Sequence, residues 1–159
     1  MTIHNNIHAC PFCDKSVLSS VFYARDGFMA ICNIAPVLPG HSLIIPKNHV
    51  TGILELSDHE LFEFFDTART ALRILMKAFN TDSFDWSVQE KPEAGQTIEH
   101  LHLHIVPRIK GDLPEPGGWY PLIQQNDNSI IDSFNRPRLN LTALNHITGE
   151  LKRVAKNLV

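Results

Sequence analysis

Nowhere in this 159-residue chain do the roughly 18 consecutive apolar residues of a membrane helix follow one another. Its first residues, MTIHNNIHACPFC, hold no basic start followed by an apolar run, so no secretory signal is expected and the expected compartment is the cytoplasm. Cysteine is scarce and odd in number, with Cys10, Cys13 and Cys32 alone, which argues against a disulfide framework. No charge of one sign dominates. A formal net charge of -3 argues against a dedicated nucleic-acid binder, which leans basic, yet leaves open a small pocket for a phosphate-bearing ligand. The chain shows no internal repeat, and with 43% hydrophobic and 19% charged residues it has the composition of one globular domain and not of a disordered segment.

Within that frame the apolar periods mark out elements. FMAICN (28–33) and HSLIIP (41–46) are short apolar runs joined by PVLPG, whose prolines and glycine punctuate a turn, so a hairpin is predicted there. After Leu56 the spacing becomes helical through Leu61, Phe65, Ala68, Leu72, Leu75 and Phe79. Ser57 and Glu60 form a capping box, which predicts a helix from about Ser57 to about Asn80. SFDWSVQ (83–89) and EHLHLHIV (99–106) alternate as strands do, linked by the proline- and glycine-bearing EKPEAGQT. Residues 113–137, with Gly117-Gly118 and QQNDNS, show no period and read as a long loop, before a helical stripe through Leu144, Ile147, Leu151 and Val154.

The chemistry concentrates in HLHLH. Side chains two apart on a strand share a face, so His100, His102 and His104 form a row while Leu101, Leu103 and Ile105 face the other way. Such a row can bind a transition metal through neutral imidazoles. It can equally do nucleophilic chemistry, since an imidazole of ordinary pKa about 6.5 offers a free nitrogen near neutral pH without a separate base. A phosphoryl group suits that attack, provided the protein aligns it and stabilises the charge on its oxygens. The Cys10-Cys13 pair leaves three readings: metal ligands, a redox pair, or two reduced surface thiols. A redox pair normally opens a helix in a βαβ unit, and none follows.

HLHLHIV (100–106) resembles the His-x-His-x-His signature of the histidine triad superfamily, nucleotide hydrolases and transferases that act at an α-phosphate. PEAGQTIEHLHLHIVPRIKGD (92–112) is similar to the fragile-histidine-triad branch, which splits dinucleoside polyphosphates, and NIAPVLPGHSLIIPKNH (33–49) resembles the first hairpin of that fold. The resemblance implies an α+β domain: a core over residues 1–112 with an antiparallel sheet and one long helix, the loop 113–137, and a C-terminal helix within 138–159. It implies hydrolysis of a diadenosine tri- or tetraphosphate to a nucleoside monophosphate, with the substrate entering as a magnesium complex, and a homodimer without membrane or nucleic-acid partners. A nucleoside phosphoramidase and a non-catalytic nucleotide sensor are the alternatives.

Carried over by position, His102 is the nucleophile that forms a nucleotidyl-histidine intermediate, held by a backbone carbonyl at its other nitrogen. His104, His41 and Gln96 line the phosphate site, Gln89 meets the bridging phosphate or leaving group, Asn33 binds the ribose, and Ile31 and Phe28 contribute to the base pocket. CPFC resembles bacterial members and uridylyltransferase relatives that hold zinc, which implies a structural zinc on Cys10, Cys13, His49 and His100. The segment GDLPEPGGWY departs from the pattern: Trp119-Tyr120 stands where several relatives carry a basic residue, and the pair can stack on a second base or sit in a dimer interface.

Overall fold

A computed structural model describes residues 10–119 and 136–158. Five strands form one antiparallel sheet: β1 (Val21–Arg25), β2 (Phe28–Cys32), β3 (Ser42–Pro46), β4 (Ser83–Val88) and β5 (Leu103–Arg108), in the spatial order β1-β2-β3-β5-β4. Helix α1 (Asp58–Phe79) follows β3, and α2 (Leu141–Lys156) ends the described chain. The fold is the expected α+β arrangement of an antiparallel sheet, one long helix and a C-terminal helix.

Alternation in the strands decides which side carries the helices. Phe28, Ala30 and Cys32 on β2, Ile44 on β3, and Leu103 and Ile105 on β5 share one face and form a core with Phe64, Ala68, Ala71 and Leu75 of α1 and Leu144 and Leu151 of α2. Burying each of the larger of these side chains contributes about 1.5–3 kcal/mol before entropy is counted. The opposite face holds a smaller apolar cluster of Met29, Ile31, Leu43 and Ile45 with Phe12. Register extends that second face into a row across the sheet, with Ile31 opposite Leu43, Leu43 opposite His104, and His104 opposite Ser87. The histidines therefore lie on the side that the helices leave open.

The ends of α1 are as the capping box predicts. The Ser57 side chain accepts from the Glu60 N–H while the Glu60 carboxylate accepts from the Ser57 N–H at 2.9 Å, and Asn80 closes the helix in the left-handed region at φ 49°. Phe79, the last helical residue, touches the turn that enters β3. Gly40 there has φ +82°, and a Cβ on it would stand 2.5 Å from Phe79 Cε2, so both conformation and space call for glycine just before His41.

Two differences from the sequence reading have local causes. Strand β1 was not anticipated: it pairs with β2 through a turn at Asp26-Gly27, where Asp26 adopts φ 45°, and a register shift between Val21 and Tyr23 blurs its alternation. The histidine strand begins at Leu103, later than the expected 99–106. Before it, the Leu101 N–H donates to Val50 O at 2.6 Å and the His100 N–H to Ile98 O at 2.8 Å, so these residues pair with loops and not with a neighbouring strand. Most of the 113–137 segment, Tyr120 included, lies outside the described residues. Among the described residues, no helix is long and apolar enough to cross a membrane.

Candidate active site

His41, His102 and His104 meet on the open face of the sheet, each less than a tenth exposed. Hydrogen bonds to groups with only one possible role fix their tautomers. The Val37 backbone N–H donates to His41 Nδ1 at 3.2 Å, which leaves the proton of the neutral ring on Nε2. That Nε2–H donates to His104 Nδ1 at 2.9 Å, so His104 carries its own proton on Nε2. His102 is set the other way. Its Nδ1–H donates to the His100 carbonyl at 2.7 Å, and Nε2 keeps a free lone pair. With the His102 and His104 ring centroids 4.9 Å apart, a lone pair and an N–H donor stand side by side.

Burial keeps these rings neutral. It is the leading cause, ahead of the charges of Arg136 and His102, that depresses His41 to about 3. Burial, followed by the neighbouring imidazoles and Arg136, holds His104 well below its ordinary value. His102 is also lowered by burial, opposed by its bond to the His100 carbonyl.

A cleft of about 260 Å³ opens beside the two triad rings. Ile31, Leu43 and Ile98 supply apolar wall, and Phe12 lies edge-on to His102 with ring centroids 5.5 Å apart. Asn33 also lines it; its Oδ1 accepts from the Ala35 N–H at 2.9 Å, and its Nδ2 lies 3.4 Å from both His41 ring nitrogens. Phe28, expected beside Ile31, lies on the opposite face with its ring 5.5 Å from Phe64 of α1. Three positions along a strand reverse the face, so these two side chains cannot share a pocket.

The two glutamines are placed differently from each other. Gln89 is buried; its Nε2 donates to Ser87 Oγ at 2.9 Å and its Oε1 meets no hydrogen-bond donor among the described residues. Gln96 is half-buried and braces its own loop: Oε1 accepts from the Lys91 N–H at 2.7 Å and Nε2 reaches toward the His100 carbonyl at 3.4 Å. Sequence reasoning missed Phe12, Arg136 and Arg138 as cleft residues. Of the basic residues near the motifs, Arg108 is bound to Asp85 at 2.7 Å and to Asp112 at 2.8 Å, which commits it to the far end of β5.

A second cluster adjoins the first. The donor atoms of Cys10, Cys13, His49 and His100 all lie within 4.8 Å of one another. Cys10 Sγ is 3.3 Å and Cys13 Sγ 3.6 Å from His100 Nδ1, and Cys13 Sγ is 3.4 Å from His49 Nδ1. A tetrahedral ion with arms of about 2.3 Å to sulfur and about 2.0 Å to nitrogen would place sulfur and nitrogen roughly 3.5 Å apart. His100 is oriented for this, since its Nε2–H donates to Pro46 O at 3.0 Å and turns the Nδ1 lone pair toward the cysteines. Burial first, then the neighbouring Cys10, raises the Cys13 thiol. These four residues can hold a metal ion.

A sheet with helices on one face and a histidine triad on the other is the architecture of the HIT domain, and that family's profile matches residues 15–111; the chain belongs to the HIT family. It is 34% identical over 116 residues to the asymmetrical bis(5'-nucleosyl)-tetraphosphatase of Schizosaccharomyces pombe, a match covering 73% of this chain and 64% of that protein. It is 36% identical over 94 residues to the bis(5'-adenosyl)-triphosphatase of Dictyostelium discoideum, covering 59% and 63%. The chain thus spans less than two thirds of the length of these relatives. Among solved structures, a hypothetical histidine triad nucleotide-binding protein of Sulfolobus tokodaii superposes with a TM-score of 0.72 at 26% identity, the match covering 94% of this chain and 93% of that one.

The protonation of His41 follows from its surroundings. An unfolded chain takes up protons on its histidines near pH 6.5, whereas the folded ring resists until about 3. His41 and His104 therefore favour the native state above about pH 6.5 and progressively less as pH falls toward their folded values. In an NMR titration, the His41 ring resonances are expected to keep neutral-imidazole shifts from about pH 7.5 down to about pH 5, two units above the folded value. A midpoint near 6.5 would show that burial does not hold the ring neutral.

Proposed function

We propose that the chain is a nucleotide hydrolase that cleaves dinucleoside polyphosphates, diadenosine tri- or tetraphosphate, at the α-phosphate through a covalent intermediate on His102. The carrying observation is the opposed tautomers of His102 and His104: one nitrogen ready to attack phosphorus, and beside it a proton ready to meet a phosphate oxygen. The names of the two relatives point to the same substrates.

In the first half-reaction the His102 Nε2 lone pair attacks the α-phosphorus, and the bond to the bridging oxygen breaks with its electron pair leaving on the departing nucleotide. His104 Nε2–H donates to a phosphate oxygen as charge grows there, and His41 keeps that proton in place by occupying the opposite nitrogen with its own N–H. In the second half-reaction the oxygen of a water bonds to the same phosphorus as the P–N bond breaks; the electron pair returns to His102 Nε2, the water's proton passes to solvent, and a nucleoside monophosphate leaves. A half-turn of the Gln89 amide lets Ser87 donate to its Oε1 and frees its NH2 for the bridging phosphate or leaving group. Asn33 faces the ribose, and the base lies against Ile31, with Phe12 and Leu43 taking the place assigned to Phe28. Gln96 keeps its phosphate role through the resemblance; its present bonds brace the loop and the His100 carbonyl.

The metal is zinc in this reading, because two thiolates and two imidazoles suit a closed tetrahedral structural site. It would fix His100, and through the His100 carbonyl the ring of His102. Thiolate ligands must stay reduced, which fits the cytoplasm. Magnesium would enter with the substrate, on its phosphates. A homodimer with the sheet continuing between subunits is supported by β4, an outer strand whose Phe84 and Trp86 are 42% and 39% exposed beside Phe65.

Parallel assays on diadenosine tetraphosphate, diadenosine triphosphate and adenosine phosphoramidate should show preferential cleavage of a dinucleotide, lost roughly a thousandfold or more in His102→Ala. Preference for the phosphoramidate would assign the chain to the phosphoramidases, and no turnover with tight nucleotide binding would make it a sensor. Protein purified without added metal should carry about one zinc per chain, and Cys13→Ser should lose the metal and melt at a lower temperature. Far less metal and an unchanged melt would remove the site. Sedimentation at micromolar concentration should report a dimer; a monomer would refute the assembly.

A further inference from the structure

The cleft beside the triad has an unusual charge balance for a chain of net charge -3. Among the described residues its lining contains Arg136 and Arg138 and no aspartate or glutamate, while its histidines are the neutral rings described above. Two guanidinium groups are thus the formal charges that the described residues bring to it. Arg136 is half-buried and Arg138 exposed, and both line the cleft.

Their placement is built into the chain. Pro137 between them disfavours helical backbone at Arg136, and in extended chain residues two apart point to the same side. Directly after the pair, the Leu139 N–H donates to Ile34 O at 2.8 Å, next to Asn33. Asn140 then caps α2, with Oδ1 accepting from the Ala143 N–H at 2.8 Å. A backbone bond and a helix cap hold the Arg-Pro-Arg segment over the site. The Arg136 charge also reaches the reacting centre, where it lowers the proton affinity of both His41 and His104.

The triad supplies one lone pair and one N–H, which serves a single phosphorus and no more. A polyphosphate brings further anionic groups, and neutral imidazoles offer them no countercharge. Guanidinium groups are permanently charged and bind phosphate oxygens in pairs. We propose that Arg136 and Arg138 hold the phosphates beyond the α-phosphate and so set this site's preference for polyphosphates over single-phosphate substrates. A phosphoramidate releases an amine, which gains nothing from two cations; a dinucleotide releases a phosphate anion, which does. This inference rests on the nucleotide-hydrolase reading for its reaction, though not for its binding step.

The test compares equilibrium binding of AMP and of α,β-methylene-ATP, whose α–β bridge resists hydrolysis, to the wild-type protein and to the double variant Arg136→Gln/Arg138→Gln. The wild type is expected to favour the triphosphate analogue by roughly tenfold or more. The variant should lose most of that ratio while its AMP affinity changes by less than about threefold. Its kcat/KM should fall about tenfold or more for diadenosine tetraphosphate and less than about threefold for adenosine phosphoramidate. An unchanged ratio, or equal losses for AMP and the analogue, overturns the proposal. If the double variant does not fold, Arg138→Gln at the exposed position carries the comparison, and an unchanged ratio there overturns it as well. A wild type that cleaves no substrate refutes the hydrolase reading alone, and the binding ratio still decides the role of the arginines.

Discussion

The His100 carbonyl accepts the Nδ1–H of His102 at 2.7 Å, and much of the surrounding structure can be understood as what that bond requires. Residues 100–102 leave the regular ladder, and β5 begins only at Leu103. The backbone there is held by other means: Leu101 by Val50, the His100 side chain by Pro46 O, and the Gln96 amide reaching the same carbonyl. The cysteine turn contributes from the remaining side, because Phe12 between Cys10 and Cys13 lies edge-on to both His100 and His102. A cluster that can hold a metal ion and the proposed nucleophile thus share one short stretch of main chain, with the His100 ring at the first and its carbonyl at the second.

Charge is distributed with comparable economy. The three rings of the site are buried deeply enough to stay neutral, which preserves the lone pair on His102, but neutral rings cannot balance a polyanion. In the proposed reading, the guanidinium groups at the cleft separate the two requirements. Positive charge that never titrates lies on one segment, and nitrogens that must not protonate lie on another.

The regularly periodic parts of this structure were legible from the chain. Residues 57–80 announce α1 by spacing and by the Ser57–Glu60 capping box, and HLHLH announces a row of rings on one face. The donor set Cys10, Cys13, His49 and His100, implied by resemblance, comes together in space. What escaped did so for physical reasons. Strand β1 carries a register shift that breaks its alternation, although Asp26-Gly27 was a hairpin turn signal in plain view. Phe28, assigned to the base pocket by resemblance, sits an odd number of positions from Ile31 on β2 and so packs on the helix side. Arg136 and Arg138 carry no local signal at all, since a hydrogen bond from Leu139 to Ile34, far back in the chain, is what brings them to the cleft.

The direction of the protons in this site begins at the Val37 N–H, which faces His41 Nδ1. That donor belongs to the peptide and not to a side chain. Every replacement at position 37 except proline would retain it, so the polarity of this hydrogen-bond chain is insulated from drift in the residue that supplies it. Side chains can reshape the walls of such a cleft while the direction in which its imidazoles donate is inherited from the backbone trace.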